Sequence, residues 1–297
     1  MHGRLATRLA VAKSGIAPLG EEQGRLFDMA NWGDDPRSTD SAVTTHEAGQ
    51  SAPSSDMARP SRSTAGRRGF DAAKMVWRAQ SPLLPRSARR PAAAVLAGCV
   101  IITLVIGFLV AHQSRANSLD RAVDSWIRSG LAGHGRTLFT IHHLGESVSI
   151  VTVTLVVIIG CLIARRINGA LLALVSVPLA IVLIEVLKPL FHRTLDGFAV
   201  YPSGHTGSVF AVAAVVAVLL VDPARGKISK TARIAIVAAI VLVGCAVGVA
   251  MIGLNFHYFS DTIGGAAVGV GTVLATTFLV DRLGRQVQHR PDSGTRQ

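Results

Sequence analysis

"YPSGHTGSVFAVAAVVAVLLV", residues 201–221, joins two kinds of material within one helix length. The first seven residues are polar or conformationally special, and the rest is apolar save one Ser, with no charge. A run of this kind is ambiguous between a buried core helix and a membrane span. The rest of the chain decides the matter. Six such runs occur, at about 92–111, 148–164, 170–187, 207–221, 234–253 and 262–280. A bilayer core takes roughly 20 apolar residues per helix, and too little polar sequence remains to cover six core helices. The 297-residue chain is 49% hydrophobic and only 16% charged, with a mean hydropathy of +0.44. The expected fold is all-α, a six-helix transmembrane bundle.

The formal net charge of +12 fits topology better than nucleic acid, because no basic stretch is interleaved with stacking aromatics. The basic clusters "RSARR" (86–90), "ARRING" (164–169), "DPARGKISKTAR" (222–233) and "DRLGRQVQHR" (281–290) fall on one side of six spans. The positive-inside rule makes that side cytoplasmic. Both termini are then cytoplasmic in a multi-pass protein of the cell (inner) membrane, and residues 112–147, 188–206 and 254–261 are extracytoplasmic. Residues 1–90, rich in Ser, Arg, Asp, Gly and Pro, read as a disordered polar extension. They lack the continuous apolar stretch of a secretory signal. Residues 91–285 form the membrane domain and 286–297 a short basic tail. Cys99, Cys161 and Cys245 all lie inside apolar runs, where they read as small buried hydrophobes.

The outer loops hold the chemistry. Lys188 ends the third span just before Pro189, which is expected to stop the helix. Glu185, one turn earlier, is an ionisable group inside an apolar run and needs a partner, which Lys188 at i+3 supplies. Ser203 is placed to cap the fourth span, whose free N–H groups favour an anion. Gly204 lets backbone approach an oxyanion closely, and His205 carries a proton near neutral pH. His257 and Asp261 are four residues apart at the entry to the sixth span. That spacing puts the carboxylate beside one ring nitrogen and leaves the other free to attack. In the first outer loop Leu119, Val123, Trp126 and Ile127 recur at helical spacing, as in an interfacial helix. His142 and His143 follow, placed either to face the same site or to sit among headgroups.

The order Lys–PSGH–HxxxD, each piece at the outer end of a membrane helix, resembles the type 2 phosphatidic acid phosphatase superfamily, a group related to vanadium haloperoxidases and bacterial acid phosphatases. The resemblance spans about residues 92–285. It implies that His257 attacks phosphorus and forms a phosphohistidine, that Asp261 orients His257, and that His205 protonates the leaving group. It implies phosphate binding by Lys188, Ser203 and Gly204, with no metal and no cofactor. Two basic positions of the family pattern are absent. Leu195-Asp196 stands where the first motif has Arg-Pro, and Ala250-Met251 where the third has Ser-Arg. Each charge-assisted hydrogen bond contributes about 1.5–3 kcal/mol, so losing two lowers transition-state stabilisation by roughly 10²- to 10⁴-fold. Arg193 is the nearest substitute for the first, with Asn255 or His192 as donors for the second. Restoring Leu195→Arg and Met251→Arg is expected to raise activity.

Two readings follow. One is a phosphatase acting on a lipid phosphate or polyprenyl pyrophosphate at the extracytoplasmic face. The other is a catalytically weak or inactive relative that binds lipid head groups or scaffolds partners. The partners implied are the bilayer and the lipid, not nucleic acid, and no residue pattern speaks for an oligomeric state.

Overall fold

The computed structural model describes residues 82–221 and 228–289. The expectations for the polar extension up to residue 81 and for the tail from residue 290 fall outside these residues. Eight α-helices occur among the described residues: α1 Arg86–Val110, α2 Ser118–Gly130, α3 Gly135–His142, α4 Ser147–Ile163, α5 Ile167–Phe191, α6 Gly204–Val221, α7 Lys230–Gly253 and α8 Phe259–His289. A 3₁₀ turn, His143–Gly145, links α3 to α4, and a two-stranded hairpin, β1 Thr194–Leu195 with β2 Phe198–Ala199, links α5 to α6.

Helices α1, α5, α6, α7 and α8 are long and apolar enough to cross a bilayer. Helix α4 has 17 residues and makes a sixth span when joined to α3 across a 48° bend. The all-α transmembrane bundle read from the sequence is the fold of the described residues. Two boundaries differ from expectation. The basic cluster at 86–90 forms the start of α1 rather than a linker ahead of it. Pro189 does not end α5, which runs on to Phe191 and stops at His192, a left-handed residue with φ 47°. The proline removes one donor only, and the N–H of His192 still reaches the Lys188 carbonyl at 2.9 Å.

The helices alternate in direction, so their ends sort into two sets. At one end the N–H groups of Leu83 and Leu84 donate to Asp281, and Arg166 and Arg233 reach the carbonyls of Leu219 and Leu220. At the other end His112 donates to Phe191, Thr194 to Gln113, and Ser203 to Asp261 through backbone groups. Between them lies a core of small and branched residues, including Ala173, Val177, Ala211, Val215, Val247 and Val273. Helices α6 and α8 touch backbone to backbone. A side chain at Gly265 would strike the Ser203 carbonyl, and one at Gly269 the Gly207 carbonyl. Small residues permit this close approach in membranes. The buried hydroxyls of Ser176, Thr272, Thr276 and Thr277 donate to carbonyls one turn back, so these donors are not bare in hydrocarbon, whereas the Thr154 hydroxyl in α4 is buried without a hydrogen-bond partner among the described residues.

Candidate active site

The site end of the bundle is built on the first turns of α6 and α8. Ser203, fully buried, gives its own N–H to the Asp261 carbonyl at 3.0 Å, so the PSGH turn is pinned against α8. Its Oγ faces the N–H of Thr206 at 3.5 Å, a long cap. Gly204 opens α6, and a side chain there would meet nothing within 4 Å. The backbone at this point is therefore open to an approaching oxyanion.

The first turn of α8 is closed by carboxylates. Asp261 Oδ2 accepts from the N–H of Tyr258 at 2.8 Å, the acidic half of a capping box. Asp124 accepts from the N–H of Phe259 at 3.1 Å, and Asp120 from the N–H of Ser260 at 2.9 Å. Helix α2 thus caps α8 from outside, with favourable charge at the positive end of the helix dipole. Burial pushes the Asp124 carboxyl up to about 6, against the opposing pull of the Phe259 N–H and Arg128. The inward face of α2 is the acidic one. Asp120, Asp124 and Ile127 are buried, whereas Leu119 and Trp126, from the apolar spacing read as an interfacial helix, are 58% and 76% exposed.

Arg193 sits beneath this cap with no exposed surface. Its Nη1 donates to Asp261 Oδ1 at 2.6 Å and Ser260 Oγ at 2.5 Å, and its Nη2 to Asp120 Oδ2 at 2.5 Å. The guanidinium lies 4.3 Å from the Tyr258 ring centroid. Sequence reasoning offered Arg193 as a phosphate ligand. In this structure its Nη donors are committed to Asp120, Asp261 and Ser260, and its position suits holding Asp261. The signal for this arrangement was present in the sequence, since Asp120, Asp124 and Arg128 share one helix face. The apolar residues between them drew attention instead.

The expected imidazoles and ammonium come from different elements, all three at this end of the bundle. His205 lies within electrostatic reach of His257, Lys188, His142 and Glu146. His257 is 9% exposed, with Nδ1 3.7 Å from Asp261 Oδ2. That is ion-pair range but beyond a hydrogen bond, because both Asp261 oxygens already accept from Arg193 and Tyr258. Lys188 Nζ bonds Glu185 Oε1 at 2.6 Å, the partner expected for an acid inside an apolar run. Asn255, a suggested donor, accepts from Arg128 at 2.8 Å. The His192 ring lies tilted beside that of His112, with centroids 5.8 Å apart. Among the described residues no group of three His, Cys, Asp or Glu side chains is arranged to hold a metal ion.

The two positions that depart from the family pattern have different surroundings. Leu195 lines an open cavity of about 590 Å³ beside Arg121, Arg128 and Asn255. Met251 is 2% exposed and belongs to the main apolar core. Leu195→Arg is therefore expected to fold and to raise phosphate release by about 10-fold, the equivalent of one charge-assisted bond. Met251→Arg buries an unpaired charge and is expected to lower stability by several kcal/mol. Melting and turnover of the two variants check this, and equal melting points would contradict it.

Comparison with known proteins follows the same geometry. Residues 183–285 match the family model of the PAP2 superfamily. Among solved structures the chain is similar to the first transmembrane PAP2 type phosphatidylglycerolphosphate phosphatase from Bacillus subtilis. The TM-score is 0.52 at 18% identity, over 66% of this chain and 98% of that one. No curated protein matches. The matched segment carries Lys188, the PSGH turn and the His257–Asp261 pair, so over residues 183–285 the chain resembles the PAP2 superfamily, and its fold is similar to that of a membrane PAP2 protein.

Proposed function

We propose that the protein is a membrane phosphatase that hydrolyses a lipid phosphate or polyprenyl pyrophosphate at the extracytoplasmic face. The observation that carries this reading is the meeting of His205, His257 and Lys188 from three separate elements at one end of the bundle. In the proposed reaction Lys188 leaves Glu185 for the substrate phosphate, and the backbone at Gly204 with Ser203 supplies further donors. His257 Nε2 attacks phosphorus, forming a P–N bond as the P–O bond to the lipid breaks. His205 gives its proton to the departing oxygen. A water then attacks the phosphohistidine, His205 takes its proton, and inorganic phosphate leaves with His257 restored. The 3.7 Å gap between His257 and Asp261 shortens as His257 gains positive charge, since apo contacts commonly tighten in the reacting complex.

The basic clusters at 86–90 and 164–169, with Lys230 and Arg233 on the first turn of α7, fall at the helix ends opposite the site end. The positive-inside rule supports a cytoplasmic side for them and an outward site in the cell membrane. A head group then enters from the outer leaflet.

The second reading, a weak or inactive head-group binder, is favoured by one feature: Met251 fills core where the family pattern has arginine. Phosphate release from phosphatidate, phosphatidylglycerol phosphate and a polyprenyl pyrophosphate, measured in detergent, separates the two. Turnover of one of these, lost in His205→Ala, is expected. Absence of turnover on all three, with head-group binding intact, would establish the second reading instead.

A further inference from the structure

His142 is the last residue of α3, next to the 3₁₀ turn that leads into α4. Its ring stands edge-on to the His205 ring with centroids 4.7 Å apart, and edge-on to Phe256 at 5.5 Å and Phe139 at 5.6 Å. The turn that carries it presses on the same histidine. A side chain at Gly145 would come within 3.1 Å of His205 Cβ. His142 is thus lodged against the proposed proton donor, although some sixty residues of chain separate them.

Neither nitrogen of this imidazole is satisfied by protein. Nδ1 is buried with no hydrogen-bond partner among the described residues, and Nε2 is 4.0 Å from Glu146 Oε1, beyond hydrogen-bond range. Glu146 bonds the Nδ1 of His143 instead, at 2.9 Å. A buried polar nitrogen without a hydrogen-bond partner costs stability and calls for an explanation. An inert aromatic spacer would serve equally well as Phe. The chain also lacks two cationic groups at Leu195 and Met251, and Arg193 is spent on carboxylates.

We propose that His142 is a third imidazole of the phosphate site, donating from its protonated ring to the oxyanion held at His205 and replacing part of the missing arginine charge. The inference rests on the proposed phosphatase reading for its ligand. The oxyanion is a phosphate group, on a lipid or free. The charged and titratable groups facing the ring are His205 on α6, His143 and Glu146 on its own turn, and, through His205, His257 and Lys188. Burial holds the ring below the ordinary histidine value, so the contribution appears when the bound oxyanion keeps the proton on the imidazole and is lost as pH rises.

The test uses the full chain in detergent with tungstate, a phosphate-shaped oxyanion kept dilute so that it stays monomeric, at about pH 6 and about pH 8, on either side of the histidine range. His142→Phe keeps the aromatic contacts and removes both donors. His142→Gln keeps a neutral donor and serves if the Phe variant fails to fold. Tungstate binding by His142→Phe is expected to be weaker than wild type by about 10-fold at the lower pH and by less than about 2-fold at the higher, with His142→Gln between them. Equal binding at both pH values overturns the proposal, and so does an equal loss at both, which would mark a packing role. Lipid phosphate release is measured in parallel. Wild-type turnover with tungstate binding indifferent to His142 defeats this inference alone. PH-dependent tungstate binding through His142 without turnover upholds it and defeats the phosphatase reading. A wild-type chain that neither binds nor hydrolyses defeats both.

Discussion

Arg193→Ala is expected to lower the stability of the bundle by about 3–5 kcal/mol, because it strands two buried carboxylates. Asp120 and Asp261 are both fully buried, and each takes a bond from one arm of the Arg193 guanidinium, at 2.5 Å and 2.6 Å. Without it the two like charges face each other in a poorly solvated space with no counter-ion. The Tyr258 ring also loses the cation stacked 4.3 Å from it. For a domain of this size the change corresponds to a fall in melting midpoint on the order of 10 °C. Asp120→Asn should cost less, since Asn keeps an acceptor for the Ser260 N–H while removing one of the two charges. Combining Asp120→Asn with Arg193→Ala should recover part of the loss, as coupled neighbours do in a double-mutant cycle. Thermal unfolding of the purified variants in detergent measures all three. Strictly additive effects would mean that the two side chains do not act as a pair. Activity should fall with stability in Arg193→Ala, because Asp261 is both the partner of Arg193 and the group beside His257.

His257→Ala is expected to reduce phosphate release by roughly 10⁴-fold or more, the loss typical when a covalent nucleophile is removed. The side chain is small and 9% exposed, and none of its atoms takes part in the Arg193 network, so the variant should fold. Its remaining binding groups, Lys188 and the α6 turn, leave substrate affinity largely intact, and the loss should appear in kcat rather than KM. Asp261→Asn should lose less activity but more stability, because that carboxylate also holds Arg193 and the Tyr258 N–H. A second readout is chemical. Phosphate bound to imidazole nitrogen is acid-labile, and such a label on the wild-type chain should vanish in His257→Ala. Phosphate release that survives the substitution would remove His257 from the reaction and with it the proposed mechanism.

The spans were legible because a bilayer imposes one rule on every helix, a long apolar run, and that rule acts residue by residue along the chain. The nearness of His257 to Asp261 and of Lys188 to Glu185 was legible for a similar reason. Both pairs lie within one helical turn, where backbone geometry alone brings side chains together. Helix α2 was legible as a helix with an apolar spacing suited to an interface, but the role of its acids was not. Asp120 and Asp124 face inward, because the first turn of α8 offers them unsatisfied N–H groups and Arg193 offers charge.

The sequence by itself determined the membrane bundle and the common end at which the phosphate motifs gather, since hydropathy, helix capping and short-range spacing are local properties. Only the tertiary structure decided what Arg193 does, which face of α2 is buried, and that His142 stands against His205. Those outcomes depend on contacts between residues as far apart as 140 positions, as in the Ser260–Asp120 pair. Such contacts are set by how the helices pack, and a buried charge takes whichever partner that packing brings within reach.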